Sequence, residues 1–284
     1  MLVVTGASGQ LGRLVIASLL DRVPAGEIVA AVRDPAKVQD LAARGVQVRQ
    51  ADYDRPDTLA AAFAGADKVL LVSGNAVGQR VPQHRAVIDA AKRAGARLIA
   101  YTSLLHADTS PLPLAAEHKE TEALLRTSGV PFVLLRNGWY TENYLGAIEP
   151  ALQHGALLGS AGSGRIASAA RADYAAAAAA VLASRDDQAG KVYELAGDDA
   201  YTLEQLAAEI ARQSGQPLAY RDLPQQEYKG VLLQIGLPEG LAELVSSSDA
   251  GAAQGGLFDD GRQLSKLIGR PTTPLAASVA RALA

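Results

Sequence analysis

Cysteine is absent from the 284-residue chain, which excludes disulfides, a thiolate nucleophile and a thiolate metal site. Its four histidines, at 84, 106, 118 and 154, are scattered without metal-ligand spacing, and no metal is expected. An excess of one charge is lacking too. Lys and Arg number 27 against 30 Asp and Glu, a net charge of −3, which gives no reason to expect nucleic acid or an anionic membrane as partner. No apolar run is long. The alanine-rich stretch 175–183 falls far short of the ~20 residues a membrane span requires, and reads as a small-residue face for close helix packing. Met1 runs into an apolar stretch with no basic leader and no cleavage site, so a cytoplasmic protein is expected. What remains is ordinary for a globular chain, with 49% hydrophobic and 20% charged residues, enough for one large or two modest domains.

What is present begins at the start. Val3-Val4-Thr5 runs into Gly6-Ala7-Ser8-Gly9-Gln10-Leu11-Gly12, glycines spaced G-x-x-G-x-x-G ahead of the apolar-periodic Leu11, Leu14, Val15 and Leu19. This reads as strand, tight turn and helix. Gly6 would allow the turn, Gly9 would let the backbone approach a pyrophosphate, and Gly12 would let the helix pack closely on the strand. The helix N-terminus would then aim free N–H groups at the phosphates. A glycine-rich turn alone is weak, but its place after a strand, before a helix and ahead of a βα alternation makes it a dinucleotide loop.

That alternation continues. Strands are expected at 28–32, 46–49, 68–72, 98–102 and 131–135, with helices at 10–22, 35–44, 58–63, 82–94 and 115–128. This predicts an α/β fold, a doubly wound parallel Rossmann sheet with right-handed crossovers. Past about 145 the rhythm changes. The glycine-rich 155–164 reads as a loop, 175–183 as a helix, 191–195 as a late strand and 216–221 as a short strand. Thr202 and Gln205 form a capping-box pattern. We therefore divide the chain into a dinucleotide-binding Rossmann domain, 1–150, and a smaller C-terminal α/β lid expected to bind substrate, 151–284. Parts of 165–200 are expected to return to the sheet.

The end of the second strand bears on the cofactor. A ribose 2′-hydroxyl calls for an acidic residue about 20 positions after the glycines. Val32 and Arg33 stand there, followed by Asp34 and Lys37. The Arg33 fork suits a 2′-phosphate and favours NADPH, against a surface arginine with Asp34 as 2′-OH acceptor. Asp52-Tyr53 follows the third strand, where adenine lies in such folds or where a simple turn stands. Ser73, Gly74 and Asn75 follow the fourth, as a loop turn or as a close backbone approach to the middle of the cofactor.

Several stretches carry a more specific likeness: 5–12, 32–35, 51–53, Tyr101-Thr102-Ser103-Leu104-Leu105-His106-Ala107-Asp108-Thr109-Ser110-Pro111, Leu134-Leu135-Arg136-Asn137-Gly138-Trp139-Tyr140 and 266–269. On these the chain resembles the NmrA-like atypical short-chain dehydrogenases, and within them the bacterial NADPH-dependent quinone oxidoreductases of type 2. Triphenylmethane dye reductases are a more distant resemblance. The resemblance covers essentially the whole chain and implies NADPH, two-electron reduction of a small-molecule quinone, and Asn137, Gly138, Trp139, Tyr140, Thr141 and Glu142 lining the nicotinamide half of the site. Asn137 is the leading candidate for the reacting end. An Asn-Gly-Trp-Tyr loop offers an amide for the carboxamide and aromatic faces for a flat ring, or else it staples the lid to the sheet.

One departure is informative. Ordinary short-chain dehydrogenases donate a proton from a Tyr-x-x-x-Lys pair, whose positions here fall on Leu114 and His118. Reducing a ketone gives a basic alkoxide that needs that proton. A quinone becomes a far less basic phenolate and can take its proton from water. His118 stays open as an assisting acid or a ribose contact, against a surface histidine on an amphipathic helix. His106 and Ser103 are open as ribose or substrate contacts. Arg171 and Asp173 fit an N-cap with its following helix, a structural role, while the resemblance keeps 168–171 open as a segment near the cofactor. Two alternatives remain: an NADP(H)-sensing regulator without catalysis, which the missing pair also fits, and a reductase of triarylmethane-type dyes. A homodimer is compatible with either.

Overall fold

A computed structural model describes all 284 residues. The apolar runs form strands β1 (Leu2–Val4), β2 (Ile28–Val32), β3 (Gln47–Gln50), β4 (Lys68–Leu71), β5 (Leu98–Leu104), β6 (Phe132–Asn137), β7 (Ala156–Gly159), β8 (Val192–Leu195) and β9 (Ala219–Asp222). Seven of them make one sheet in the order β3-β2-β1-β4-β5-β6-β8, and every ladder from β3 through β6 is parallel. Helices Gln10–Leu20, Pro56–Ala62, Arg80–Arg93 and Ala115–Ser128 fall between successive strands. Strands β2 and β5 are buried along their whole length, as parallel strands covered on both faces must be. This is the expected doubly wound α/β sheet. Its strand order reverses between β1 and β4, the switch point outside whose carboxyl ends such sheets bind ligands.

The chain divides into two compact units. The first comprises residues 1–104, 116–137 and 172–193; the second comprises 105–115, 138–171 and 194–284. The first unit's core joins Val3, Val29, Val69, Ile99 and Tyr101 of the sheet to Leu59, Phe63, Val87 and Leu125 of the helices. The second holds the two-stranded β7-β9 sheet with helices Leu203–Ser214, Gln225–Gln234, Glu239–Ala253 and Leu275–Leu283. The capping box is present, with Thr202 Oγ1 accepting from the Gln205 N–H and Gln205 Oε1 from the Thr202 N–H.

Two local readings change. The single helix expected over 35–44 is a 3-10 turn, Pro35–Val38, followed by the short helix Gln39–Ala43. The glycine-rich 155–164, expected as a loop, opens on β7, which pairs in parallel with β9 from Ala156↔Ala219 to Gly159↔Asp222. Glycine serves close approach there. A Cβ on Gly159 would stand 2.7 Å from Leu203 Cδ1 and 2.8 Å from Asp249 Oδ2.

Candidate functional site

The glycine loop sits where β1 ends at the switch point. Gly6 has a positive φ of 58°, and its carbonyl accepts from the Gly9 N–H at 2.9 Å, which closes the turn. Gly9 is the extended N-cap of the Gln10–Leu20 helix, and no side chain caps that end. A Cβ on Gly12 would lie 2.5 Å from Gly6 O and 2.8 Å from Ala7 Cα. Gly12 therefore lets the helix close on the loop's own backbone, and not on the strand as expected. Gly6, Ser8, Gly9 and Gln10 are exposed while Ala7, Leu11 and Gly12 are buried. The outcome is an open, glycine-walled cradle at an uncapped helix N-terminus, the arrangement an anionic pyrophosphate requires.

Arg33 is exposed just beyond β2. Asp34 Oδ1 accepts from the Ala36 N–H at 3.0 Å and so caps its own turn, which weakens it as a ribose acceptor. Tyr53 turns inward: its hydroxyl meets Thr5 Oγ1 at 2.5 Å and donates to Val72 O at 3.0 Å. The loop after β4 is held from below. Thr102 Oγ1 accepts from the Ser73 N–H at 2.8 Å, His84 Nε2 accepts from the Gly74 N–H at 3.0 Å, and Arg80 Nε donates to Gly74 O at 2.5 Å. Because Nε2 accepts, the His84 proton sits on Nδ1 and is donated to Thr121 Oγ1 at 2.9 Å. Asn75 is exposed at the tip of this loop.

Four rings meet in series, Tyr53, His84, Tyr101 and His118, with successive centroids 6.4, 5.4 and 5.8 Å apart; the first two contacts are edge-to-face and the third is tilted. The surface histidine considered for His118 is not what the fold contains. It is 4% exposed and its Nδ1 pairs with the Tyr101 hydroxyl at 2.7 Å. Burial, with the Arg80 charge alongside, pushes both His84 and His118 down to about 3, so both are neutral at ordinary pH. Burial pushes the Tyr101 hydroxyl up. Ser103 is also committed, donating to Glu122 Oε1 at 2.6 Å in a buried group completed by Arg136 Nη2 on Glu122 Oε2 at 2.8 Å. Arg80, Thr121 and Glu122 of this interior belong to no motif in the sequence. Asn137 ends β6 at 6% exposure, and its Oδ1 is a buried acceptor with no partner. Such an atom costs stability unless a donor arrives, and a primary carboxamide N–H is such a donor. The open cradle and this acceptor are compatible with a nicotinamide dinucleotide.

In the second unit, residues 138–142 are braced from one side. Ala169 donates its N–H to Trp139 O at 3.2 Å and accepts from the Thr141 N–H at 2.9 Å, and the Gly138 N–H reaches Leu195 O at 2.7 Å. Thr141 Oγ1 meets Ser168 Oγ at 2.8 Å, and Ser168 Oγ meets the Tyr201 hydroxyl at 2.6 Å. Both Glu142 carboxylate oxygens take the Arg171 N–H at 3.0 Å. The Thr141 and Glu142 side chains thus brace the loop, while Trp139 and Tyr140 remain half-buried rings. His106 occupies left-handed backbone at φ 50°, its N–H held by Glu194 Oε2 at 2.8 Å and its Nε2 3.2 Å from Asp259 Oδ2.

A switch-point glycine cradle with an orphaned amide oxygen at the end of β6 defines a dinucleotide-binding α/β protein of the Rossmann class. The NAD(P)H-binding family matches residues 6–185, and the chain belongs to that family. It is 59% identical to quinone oxidoreductase 2 of Escherichia coli K12 over 279 residues, covering 98% of this chain and 97% of the relative. The crystal structure of the E. coli NADPH-dependent quinone oxidoreductase complexed with NADPH superposes with a TM-score of 0.98 at 58% identity, over 100% of both chains. The Citrobacter sp. triphenylmethane reductase complexed with NADP(H) follows at a TM-score of 0.95 and 38% identity, over 99% of this chain and 100% of its own.

Proposed function

We infer that this chain is an NADPH-dependent quinone reductase that delivers hydride directly to its acceptor. The observation that carries the chemistry is the missing proton donor. Leu114 is apolar, and His118 is buried, neutral and tied to Tyr101. Ketone reduction has no acid there, whereas a quinone needs none in the hydride step. The likeness to quinone oxidoreductase 2 supplies the substrate class. When bound, the reduced nicotinamide supplies the hydride; the protein supplies binding and orientation. Gly6, Ala7, Ser8, Gly9, Gln10, Leu11 and Gly12 hold the pyrophosphate. Arg33 clamps the 2′-phosphate, and Ser73, Gly74 and Asn75 support the middle of the cofactor. Asn137 Oδ1 accepts from the carboxamide and sets the ring's angle. Trp139 and Tyr140 offer flat faces to ring and quinone, with Gly138, Thr141 and Glu142 fixing their place.

In this account the Rossmann domain carries the cofactor and the C-terminal part the acceptor. No helix is long and apolar enough to cross a membrane, and we place the protein in the cytoplasm. Anaerobic NADPH oxidation with benzoquinone or naphthoquinone, using metal-free protein, tests the assignment. Turnover above the uncatalysed rate is expected; none would sink it. A triarylmethane dye is the second acceptor to assay, given the 38% likeness to the Citrobacter enzyme. Calorimetry with the four nicotinamide nucleotides separates both from a sensor, which would bind oxidised forms at least as well as NADPH.

A further inference from the structure

We propose that Arg171 sets the charge preference of the acceptor site, favouring acceptors that become anions on reduction and opposing acceptors that are cations. This rests on residues 138–142 being the acceptor loop. Arg171 opens the Arg171–Ala183 helix, and its guanidinium lies 4.7 Å from the centroid of the Tyr140 ring. The two are held as one piece. The Arg171 N–H is clamped by Glu142, and Ala169, two residues earlier, exchanges backbone hydrogen bonds with Trp139 and Thr141. The Arg171 backbone therefore has a fixed place beside the aromatic loop, and its side chain reaches over the Tyr140 ring.

Three other groups bear on that charge. The Glu142 carboxylate is directed at the helix N-terminus, whose partial positive charge offsets it. Asn143 Oδ1, 3.5 Å from Arg171 Nη2, is neutral. Asp173 is fully buried within the helix it shares with Arg171. The Arg171 guanidinium is the cation placed over the Tyr140 ring.

The two acceptor classes respond to a fixed cation in opposite ways. In quinone reduction a C–H bond of the dihydronicotinamide breaks and hydrogen with both electrons passes to the quinone. The quinone is reduced to its hydroquinone monoanion, the nicotinamide is oxidised, and the proton completing the hydroquinone comes from water. Negative charge grows on the acceptor, so a nearby guanidinium lowers the barrier. A triarylmethane dye starts as a cation and ends neutral, so the same guanidinium repels the bound dye.

The test compares wild type with R171Q and R171K on three acceptors: a neutral naphthoquinone, a sulfonated naphthoquinone and a cationic triarylmethane dye. Trp139 is the only tryptophan in the chain, so quenching of its fluorescence also measures binding of each acceptor without turnover. R171Q is expected to lose about fivefold to tenfold in kcat/KM on the neutral quinone and more on the sulfonated one, while gaining on the dye. R171K should keep the wild-type order of preference. R171M, which keeps an apolar stem over Tyr140, supplies the neutral comparison where R171Q does not fold. Equal losses on all three acceptors, or none, overturn the proposal. If wild type reduces no acceptor, the assignment as a reductase falls, and the Trp139 titration still decides this point: a sulfonated quinone that binds wild type no tighter than R171Q overturns it.

Discussion

The Tyr101 hydroxyl and His118 Nδ1 meet at 2.7 Å inside the first unit, and both side chains are shut off from solvent. By sequence position His118 is expected at the lysine of a Tyr-Lys pair; in the fold it faces Tyr101 of β5 as a neutral ring. H118L should therefore lower quinone turnover by less than about tenfold while destabilising the fold by roughly 1–3 kcal/mol, because Tyr101 loses its partner. Thermal denaturation and steady-state rates on the same preparation check this. A loss of turnover beyond a hundredfold with unchanged melting would make His118 a reacting group.

The same burial predicts a pH dependence of stability. His84 and His118 have folded pKa values near 3 against an ordinary value of 6.5. The unfolded chain binds more protons between those limits, so stability rises with pH across that window and is lost as pH falls. The slope is at most about 1.4 kcal/mol per pH unit for each histidine. Urea titrations from pH 4 to 7 should show it, and H118L should flatten it.

Asp249 acts in the opposite sense. Burial pushes its carboxyl up to about 6, against the Ser160 N–H and Tyr144 hydroxyl it accepts. Its folded pKa is raised, so its share of stability falls as pH rises from about 4 to 6. The difference in unfolding free energy between wild type and D249N should shift by that sign over that range, and a flat difference would refute the assignment.

Arg33 is exposed, and Asp34 is engaged by its own turn. R33A should reduce the preference for NADPH over NADH by about tenfold or more, since the fork to the 2′-phosphate is lost while NADH has none to lose. Paired kcat/KM values for the two cofactors measure it. An unchanged ratio would place the 2′-phosphate elsewhere.

Gly12 and Asn137 should separate holding from orienting. G12A drives a Cβ into backbone at 2.5 Å from Gly6 O. It should weaken NADPH binding more than tenfold and cost about 1–3 kcal/mol of stability. N137A removes an unpartnered buried acceptor. It should leave stability nearly unchanged, lower kcat and weaken NADPH binding, as read by calorimetry.

Much of the sheet and the glycine cradle followed from local pattern. Continuous apolar runs mark strands covered on both faces, and the glycine spacing marks a turn that side chains would block. The Ala115–Ser128 helix shows where pattern fails. His118, Thr121, Glu122 and Leu125 lie on one face and are all buried. Three of the four are polar, so apolar periodicity sees only the leucine and assigns the histidine to the surface. The glycines of 155–164 misled for the complementary reason: a glycine needed for close approach looks the same in one dimension as a glycine needed for a loop.

By itself the sequence determined a doubly wound α/β protein with a dinucleotide loop, a basic residue after β2 and no Tyr-Lys pair, because each of these lies within a few neighbouring residues. Only the tertiary structure decided that His118 is a neutral partner of Tyr101, that His84 and Arg80 hold both sides of the Gly74 peptide, that Asn137 Oδ1 lacks a partner, and that Arg171 lies over Tyr140. Each of these depends on desolvation or on contact between residues distant in the chain, and neither quantity exists until the chain is folded.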